Sequence, residues 1–133
     1  LEAEEWVSAD KVLRHATITG IKGRKRKILV VDDKWENRSV ISKLLEPIGF
    51  DVAEATNGQE GLDKVAEWQP DLIITDMIMP VMDGFEMTRN IRSLLEFKDV
   101  VIIASSASVF ETDQHKSLEA GCNDFLPKPV QIK

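Results

Sequence analysis

Apolar residues fall along this chain in short unbroken runs separated by amphipathic stretches. Ile28-Leu29-Val30-Val31, Leu72-Ile73-Ile74-Thr75 and Val100-Val101-Ile102-Ile103-Ala104 are apolar almost throughout, the pattern of strands covered on both faces in a parallel sheet. Phe50-Asp51-Val52-Ala53-Glu54-Ala55 alternates and carries two acids, which suits an edge strand. Asp124-Phe125-Leu126-Pro127 reads as a fifth, short strand.

The intervening stretches read as helices. Val40, Ile41, Leu44, Leu45 and Ile48 recur at helical spacing, and Pro47 and Gly49 stop that helix. Asn57-Gly58-Gln59-Glu60 has the form of a capping box. The helix it opens presents Leu62, Val65 and Ala66 and stops before Pro70. Asp83-Gly84-Phe85-Glu86 opens a third helix with Met87, Ile91, Leu94 and Leu95 on one side. Ser108-Val109-Phe110-Glu111 opens a fourth, and Gly121 suits the position just past its end. That helix offers a core mainly Leu118 and Ala120, so it is weakly anchored and a candidate mobile element.

Five strands alternating with four helices predict a doubly wound α/β domain with a parallel sheet. The pattern calls for a fifth helix after Val130, yet the sequence ends at Lys133. Three accounts of the face left short of cover stand open. The N-terminal segment fills it, a second chain covers it as a dimer or swapped assembly, or the sequence stops before the helix. Residues 1–26 lack a clear period and read as a linker or the tail of a preceding domain, leaving 27–133 as the domain proper.

Charge narrows the partners. The formal net charge is −6, divided unevenly. Residues 1–27 hold seven Lys/Arg against four Asp/Glu, and the remainder ten against nineteen. So acidic a body disfavours non-specific nucleic-acid binding and suits a cation or a basic partner. The basic stretch Lys22-Gly23-Arg24-Lys25-Arg26-Lys27 has no aromatic or groove-reading companions nearby and reads as a solvated junction. No apolar run approaches the ~20 residues of a membrane span, no signal-peptide pattern opens the chain, and the cytosol is the expected compartment. Cys122, a lone cysteine, reads as a small buried hydrophobe. His15 and His115 read as solvated, Trp68 as a rim packing residue, and Met77, Met79 and Met82 as loop packing. Trp35 suits equally a surface position at a helix start and a contact near the acids before it.

The candidate chemistry sits at strand ends. Asp32-Asp33 follow the first strand, Asp76 the third, Ser105-Ser106 the fourth and Lys128 the fifth. In open parallel sheets ligands bind outside the carboxyl ends of the strands, so these residues converge. Three crowded carboxylates repel one another and call for a hard cation, Mg²⁺ or Mn²⁺. With Ser106 as a hydroxyl donor and Lys128 as a positive charge, the set suits phosphoryl transfer. A carboxylate is then a competent nucleophile, forming an acyl phosphate.

These residues, taken with Val31-Asp32-Asp33, the segment from Thr75-Asp76 through Met79-Pro80 to Asp83-Gly84, Ala104-Ser105-Ser106-Ala107, Ala120-Gly121 and Pro127-Lys128-Pro129, make the chain resemble a receiver domain of two-component response regulators. The resemblance covers Ile28 to Val130 and implies the flavodoxin-like (CheY-like) fold, strand order 2-1-3-4-5, with the last helix missing. It implies Asp76 as the phosphoacceptor, and Mg²⁺ held by Asp32, Asp33, Asp76 and the backbone carbonyl of Ile78. It implies Ser106 as the switch hydroxyl, Lys128 paired with the phosphoryl group, and a cis Lys128-Pro129 bond. Phe125 takes the switch-aromatic position, where the family often has Tyr, so burial rather than a hydroxyl hydrogen bond would drive its movement. The implied partner is a histidine kinase or histidine phosphotransfer domain whose phosphohistidine is the donor. The surface of the fourth helix and fifth strand would be the part that switches. Ile78 and Ser108 take the positions that tune the lifetime of the acyl phosphate, and the apolar Ile78 offers water no general base. Thr17-Ile18-Thr19-Gly20, running into the basic stretch, is similar to the linker before receiver domains of hybrid sensor histidine kinases.

Three other readings compete with a phosphoacceptor that performs no turnover. A Mg²⁺-dependent phosphatase with Asp76 as nucleophile would want a second Asp two positions on, where Ile78 stands, and a cap-sized insertion. A binding module without chemistry would have no use for the complete set of Asp32, Asp33, Asp76, Ser106 and Lys128. A nucleotide-binding flavodoxin-like protein would carry a Gly-rich loop after the first strand, and none is present.

Overall fold

Strand β3 (Leu72–Asp76) is the middle of a five-stranded sheet. β1 (Lys27–Val31) and β2 (Asp51–Ala55) lie on one side, β4 (Val101–Ser106) and β5 (Asp124–Pro127) on the other. The order is β2-β1-β3-β4-β5, as the family resemblance implies, and every neighbour is parallel, as the alternation of strands and helices predicts. This computed structural model describes residues 26–106 and 111–127; for Ser106, residues 111–114 and residues 126–127 it describes the backbone. The linker assigned to the first residues, the Ser108 capping box, Lys128 with its bond to Pro129, and the place of a fifth helix lie outside the described residues.

The continuous apolar runs are explained by the two faces they serve. Leu29, Val31, Ile73, Ile102 and Ala104 point into one core. There they meet Val65 of helix α2 (Gly58–Trp68) and Met87 and Ile91 of α3 (Gly84–Arg92). Ile28, Val30, Leu72, Ile74 and Ile103 point into the other, against Ile41 and Leu45 of α1 (Trp35–Leu45). Alternate residues of one strand therefore fill opposite layers, and no position in β3 is free to be polar except at its end.

Both predicted caps close as expected. Asn57 Oδ1 accepts the Glu60 N–H at 2.8 Å, and Asp83 Oδ1 accepts the Glu86 N–H at 2.8 Å, each satisfying a donor the helix start would leave orphaned. Glu60 reaches back one residue beyond the cap, to the Thr56 N–H and hydroxyl. Trp68 packs on the rim of the core with the Lys27 ammonium 5.6 Å from its ring centroid.

Five apolar expectations fail, for local reasons. Ile48 belongs to a 3₁₀ turn (Glu46–Ile48) after α1 and is exposed. Ala66 is exposed, because Gly58, Gly61 and Val65 form the buried stripe of α2. Leu94 and Leu95 are also exposed, since α3 ends at Arg92 and Phe97 supplies the apolar contact instead. In α4 (Glu111–Ala120), Leu118 is exposed, while Ser117 and Ala120 are buried. His115 is exposed, as its reading as a solvated residue expects, and pairs through Nε2 with Glu119 Oε1 at 2.9 Å one turn along the helix.

At the amino end of the sheet Arg92 holds several elements together. Its guanidinium donates to the carbonyls of Gly121, Phe97, Lys98 and Val100 and to Asn123 Oδ1. Burial lowers its pKa, opposed by nearby Cys122 and Asp99. Cys122 is buried as expected; burial pushes its thiol up, offset by a hydrogen bond with Thr88 and by the Arg92 charge.

Candidate functional site

β1 and β3 are neighbours in register, Val31 opposite Thr75, so the next residue of each strand lies at the same edge of the sheet. Those residues are Asp32 and Asp76, both buried, with the exposed Asp33 beside them. Carboxylate oxygens of Asp32, Asp33 and Asp76 lie within 4.8 Å of one another. Parallel pairing thus brings together acids that are 43 or 44 positions apart in sequence.

Each buried acid is held by its own turn. Asp32 Oδ1 accepts the Lys34 N–H at 3.0 Å, and the Asp32 N–H donates to the Ala55 carbonyl at 3.0 Å. Arg38, on the first turn of α1, donates Nη1 to the Asp32 carbonyl and Nε to Glu54 Oε1, both at 2.8 Å. Ser42 Oγ donates to the other oxygen of Glu54. The acid on the edge strand therefore anchors the arginine that steadies the Asp32 turn. Asp76 Oδ1 accepts the Met77 N–H at 2.9 Å, and Thr75 Oγ1 donates to the Asp76 carbonyl at 2.9 Å.

The loop after Asp76 is closed at its base and clamped at its tip. Gly84 donates its N–H to the Met77 carbonyl at 3.0 Å, and a Cβ at Gly84 would collide with the Asp76 carbonyl. Met82 donates to the Pro80 carbonyl at 2.8 Å across Val81, whose φ is 68°. That is a γ-turn of the strained kind, uncommon for any residue and an outlier for a β-branched one. Gly58, the first residue of α2, donates to the Met82 carbonyl at 2.9 Å. Met77 and Met79 are buried and Met82 packs against the same core, which bears out their reading as loop packing.

The other sequence candidates fall as follows. Ser106 ends β4 opposite Pro127, and Ser105 pairs with Asp76, so the end of β4 lies beside the acids; the Ser106 side chain is outside the described residues. Lys128, next after the last described residue of β5, is outside them too. Phe125 stands opposite Ala104 and packs, half-buried, against the core. Ile78 is two residues past Asp76 and 74% exposed. Trp35, two residues past Asp33, is 65% exposed, which excludes a core role. Arg38 and Gly58 were not singled out for the site in the sequence, and Thr75 entered only as the residue before Asp76 in its motif. Gly58 left a trace, a glycine at the first position of a capped helix where better helix formers are usual.

Three carboxylates this close repel one another, and a bound cation would offset that repulsion. The donor set is oxygen-only, and two of its members are fixed by backbone N–H groups, which fits a hard divalent cation such as Mg²⁺.

Residues 28–133 match the family of response regulator receiver domains. The chain is 38% identical over 104 residues to the sensor histidine kinase CheAY of Helicobacter pylori, covering 77% of this chain and 13% of that kinase. It is thus a small part of the length of the kinase it matches. Among solved structures it is similar to the receiver domain of the sensor histidine kinase PA1611 from Pseudomonas aeruginosa, which has a magnesium ion coordinated in its active-site cleft. That match has a TM-score of 0.74 and 33% identity, over 81% of this chain and 88% of that one. It is similar also to a chain in the co-crystal structure of the Saccharomyces cerevisiae histidine phosphotransfer protein Ypd1 with the receiver domain of its response regulator Ssk1. There the TM-score is 0.75 and the identity 32%, over 80% of this chain and 81% of that one.

Proposed function

Because the chain belongs to the response regulator receiver domains of two-component signalling, we propose that Asp76 is its phosphoacceptor and that the donor is a phosphohistidine on a histidine kinase or histidine phosphotransfer domain. The observation that carries this is the convergence of the Asp32, Asp33 and Asp76 carboxylates at the carboxyl edge of the sheet.

A carboxylate oxygen of Asp76 attacks phosphorus and forms the acyl phosphate bond. The phosphorus–nitrogen bond to the donor imidazole breaks, and its electron pair stays on the ring nitrogen. Asp32, Asp33 and the Ile78 carbonyl, with Asp76, would hold the Mg²⁺, for which Mn²⁺ could substitute. When bound, the ion neutralises charge on the acids and on the transferring group. Lys128 and Ser106 contact the phosphoryl oxygens, a reading supported by the register that sets the end of β4 beside Asp76 and the end of β5 beside Ser106. Phe125 and the surface of α4 and β5 carry the state onward. The domain accepts one phosphoryl group per donor and needs no turnover. No helix among the described residues is long and apolar enough to cross a membrane, and the proposed setting is the cytosol.

Intact-mass measurement after incubation with Mg²⁺ and acetyl phosphate tests the reading. One phosphoryl group is expected on the unmutated chain and none on Asp76→Asn. An unmodified wild-type chain would overturn it.

A further inference from the structure

We infer that Gly58 is a positioning residue for the loop that follows Asp76, acting on the metal-holding backbone from a neighbouring helix; the inference rests on the phosphoacceptor reading above. Gly58 lies outside the acidic cluster of Asp32, Asp33 and Asp76. Its N–H donates to the Met82 carbonyl at 2.9 Å. A Cβ at this position would stand 2.5 Å from that same oxygen, 2.9 Å from Met82 Cγ and 3.0 Å from the Asp83 carbonyl oxygen. Two of the three obstacles are backbone atoms, which no rotamer change removes. The start of α2 is itself held by the Asn57 cap, so the helix is a poor candidate to yield.

The loop is the part that would give way. Its base is fixed where Gly84 donates to the Met77 carbonyl, and its tip turns sharply at Val81. Strained backbone of this kind persists where the surroundings over-determine it, and the Gly58 N–H is one such restraint. Between base and tip lies Ile78, whose carbonyl is the proposed fourth protein ligand. An atom added at position 58 thus displaces the segment carrying that carbonyl while leaving Asp32, Asp33 and Asp76 chemically intact.

Gly61 supplies the matched comparison, three residues along the same helix. A Cβ there would meet Met87 Sδ at 2.6 Å and Val31 Cγ2 at 3.3 Å, both ends of side chains in the core. Gly61→Ala repacks the core and leaves the loop backbone where it is. Both substitutions replace glycine by alanine in one helix, so the gain in helix propensity is shared.

The experiment measures Mg²⁺ affinity by calorimetry, acetyl phosphate uptake by intact mass, and melting temperature for wild type, Gly58→Ala and Gly61→Ala. The expected result is a loss of at least tenfold in Mg²⁺ affinity and slower uptake for Gly58→Ala at retained circular dichroism. Gly61→Ala is expected to change the melting temperature and keep Mg²⁺ affinity within twofold. Asn57→Ala, which loosens the clamp without adding bulk, is expected to weaken Mg²⁺ binding severalfold, and Asn57→Ser, which keeps a cap, to restore it. Should Gly58→Ala fail to fold, the Asn57 pair decides. Equal Mg²⁺ affinity in wild type and Gly58→Ala, or in the two Asn57 variants if Gly58→Ala does not fold, overturns the role of Gly58. So does an equal loss in Gly61→Ala. A wild-type chain that binds no Mg²⁺ and takes up no phosphoryl group overturns the phosphoacceptor reading and this one with it.

Discussion

The amide oxygen of Asn123 lies 2.8 Å from Arg92 Nη2 and 2.8 Å from the Ile102 backbone nitrogen, while the Asn123 N–H donates to the Ile102 carbonyl at 2.7 Å. One residue in the α4–β5 turn thus pairs twice with the start of β4 and receives the end of α3. Asn123→Ala strips an acceptor from a charged donor and a backbone donor together. It should cost about 1.5–3 kcal/mol, read as a lower urea midpoint. Asn123→Asp keeps the acceptor and should lose much less. Equal midpoints for the three chains would remove this latch from the account of stability.

Charge crowding sets the second expectation. Neutralising one acid relieves repulsion when no cation is bound, so Asp33→Asn should melt higher than wild type in chelator. Adding Mg²⁺ at a hundredfold its dissociation constant should stabilise wild type by about 2.7 kcal/mol and the variant far less. A thermal-shift series with and without Mg²⁺ reads both signs.

Val81 offers a test of strain. A β-branched residue at φ 68° costs of order 1–3 kcal/mol, whereas the extra freedom glycine gives the unfolded chain costs about 0.4–1 kcal/mol. Val81→Gly should therefore stabilise the protein, by about 1 kcal/mol, in chemical denaturation. A destabilised variant would mean that the exposed valine makes contacts worth more than its backbone strain.

The fate of Cys122 depends on pH. Burial raises its thiol pKa in the folded state, so the unfolded chain deprotonates first. Its contribution to stability is complete below the ordinary thiol pKa, about 8.5, and falls as pH rises towards the folded value. Stability measured between neutral pH and pH 10 should drop more steeply in wild type than in Cys122→Ala. Alkylation of the folded protein at neutral pH should be slow, since the thiolate is the reactive form.

Much of this was legible in the amino-acid order, and the limits are instructive. The unbroken runs at residues 28–31 and 72–75 announced strands buried on both faces, and Asp32-Asp33 and Asp76 announced their shared edge, because each breaks an apolar run in a fixed place. Leu94, Leu95, Ile48, Ala66 and Leu118 misled, since helical spacing says which residues could share a face but not where a helix stops or whether a partner covers it. Arg38 was invisible as a support for Asp32: its partners are Glu54 in β2 and Asp32 just past β1, and only the pairing of those strands makes them neighbours. Gly58 was visible only as part of a cap, because the loop it meets lies more than 20 positions away.

Asp32 and Asp76 each give one oxygen to an N–H of the turn that follows them. Their rotamers are therefore chosen when the chain folds. Ordering a side chain during binding costs about 0.5–1.5 kcal/mol, and for these two that loss belongs to folding. An arriving cation would find two acids already aimed and only the exposed Asp33 left to settle. Its capture would then be set by how fast the ion sheds water, with little waiting for the protein to rearrange.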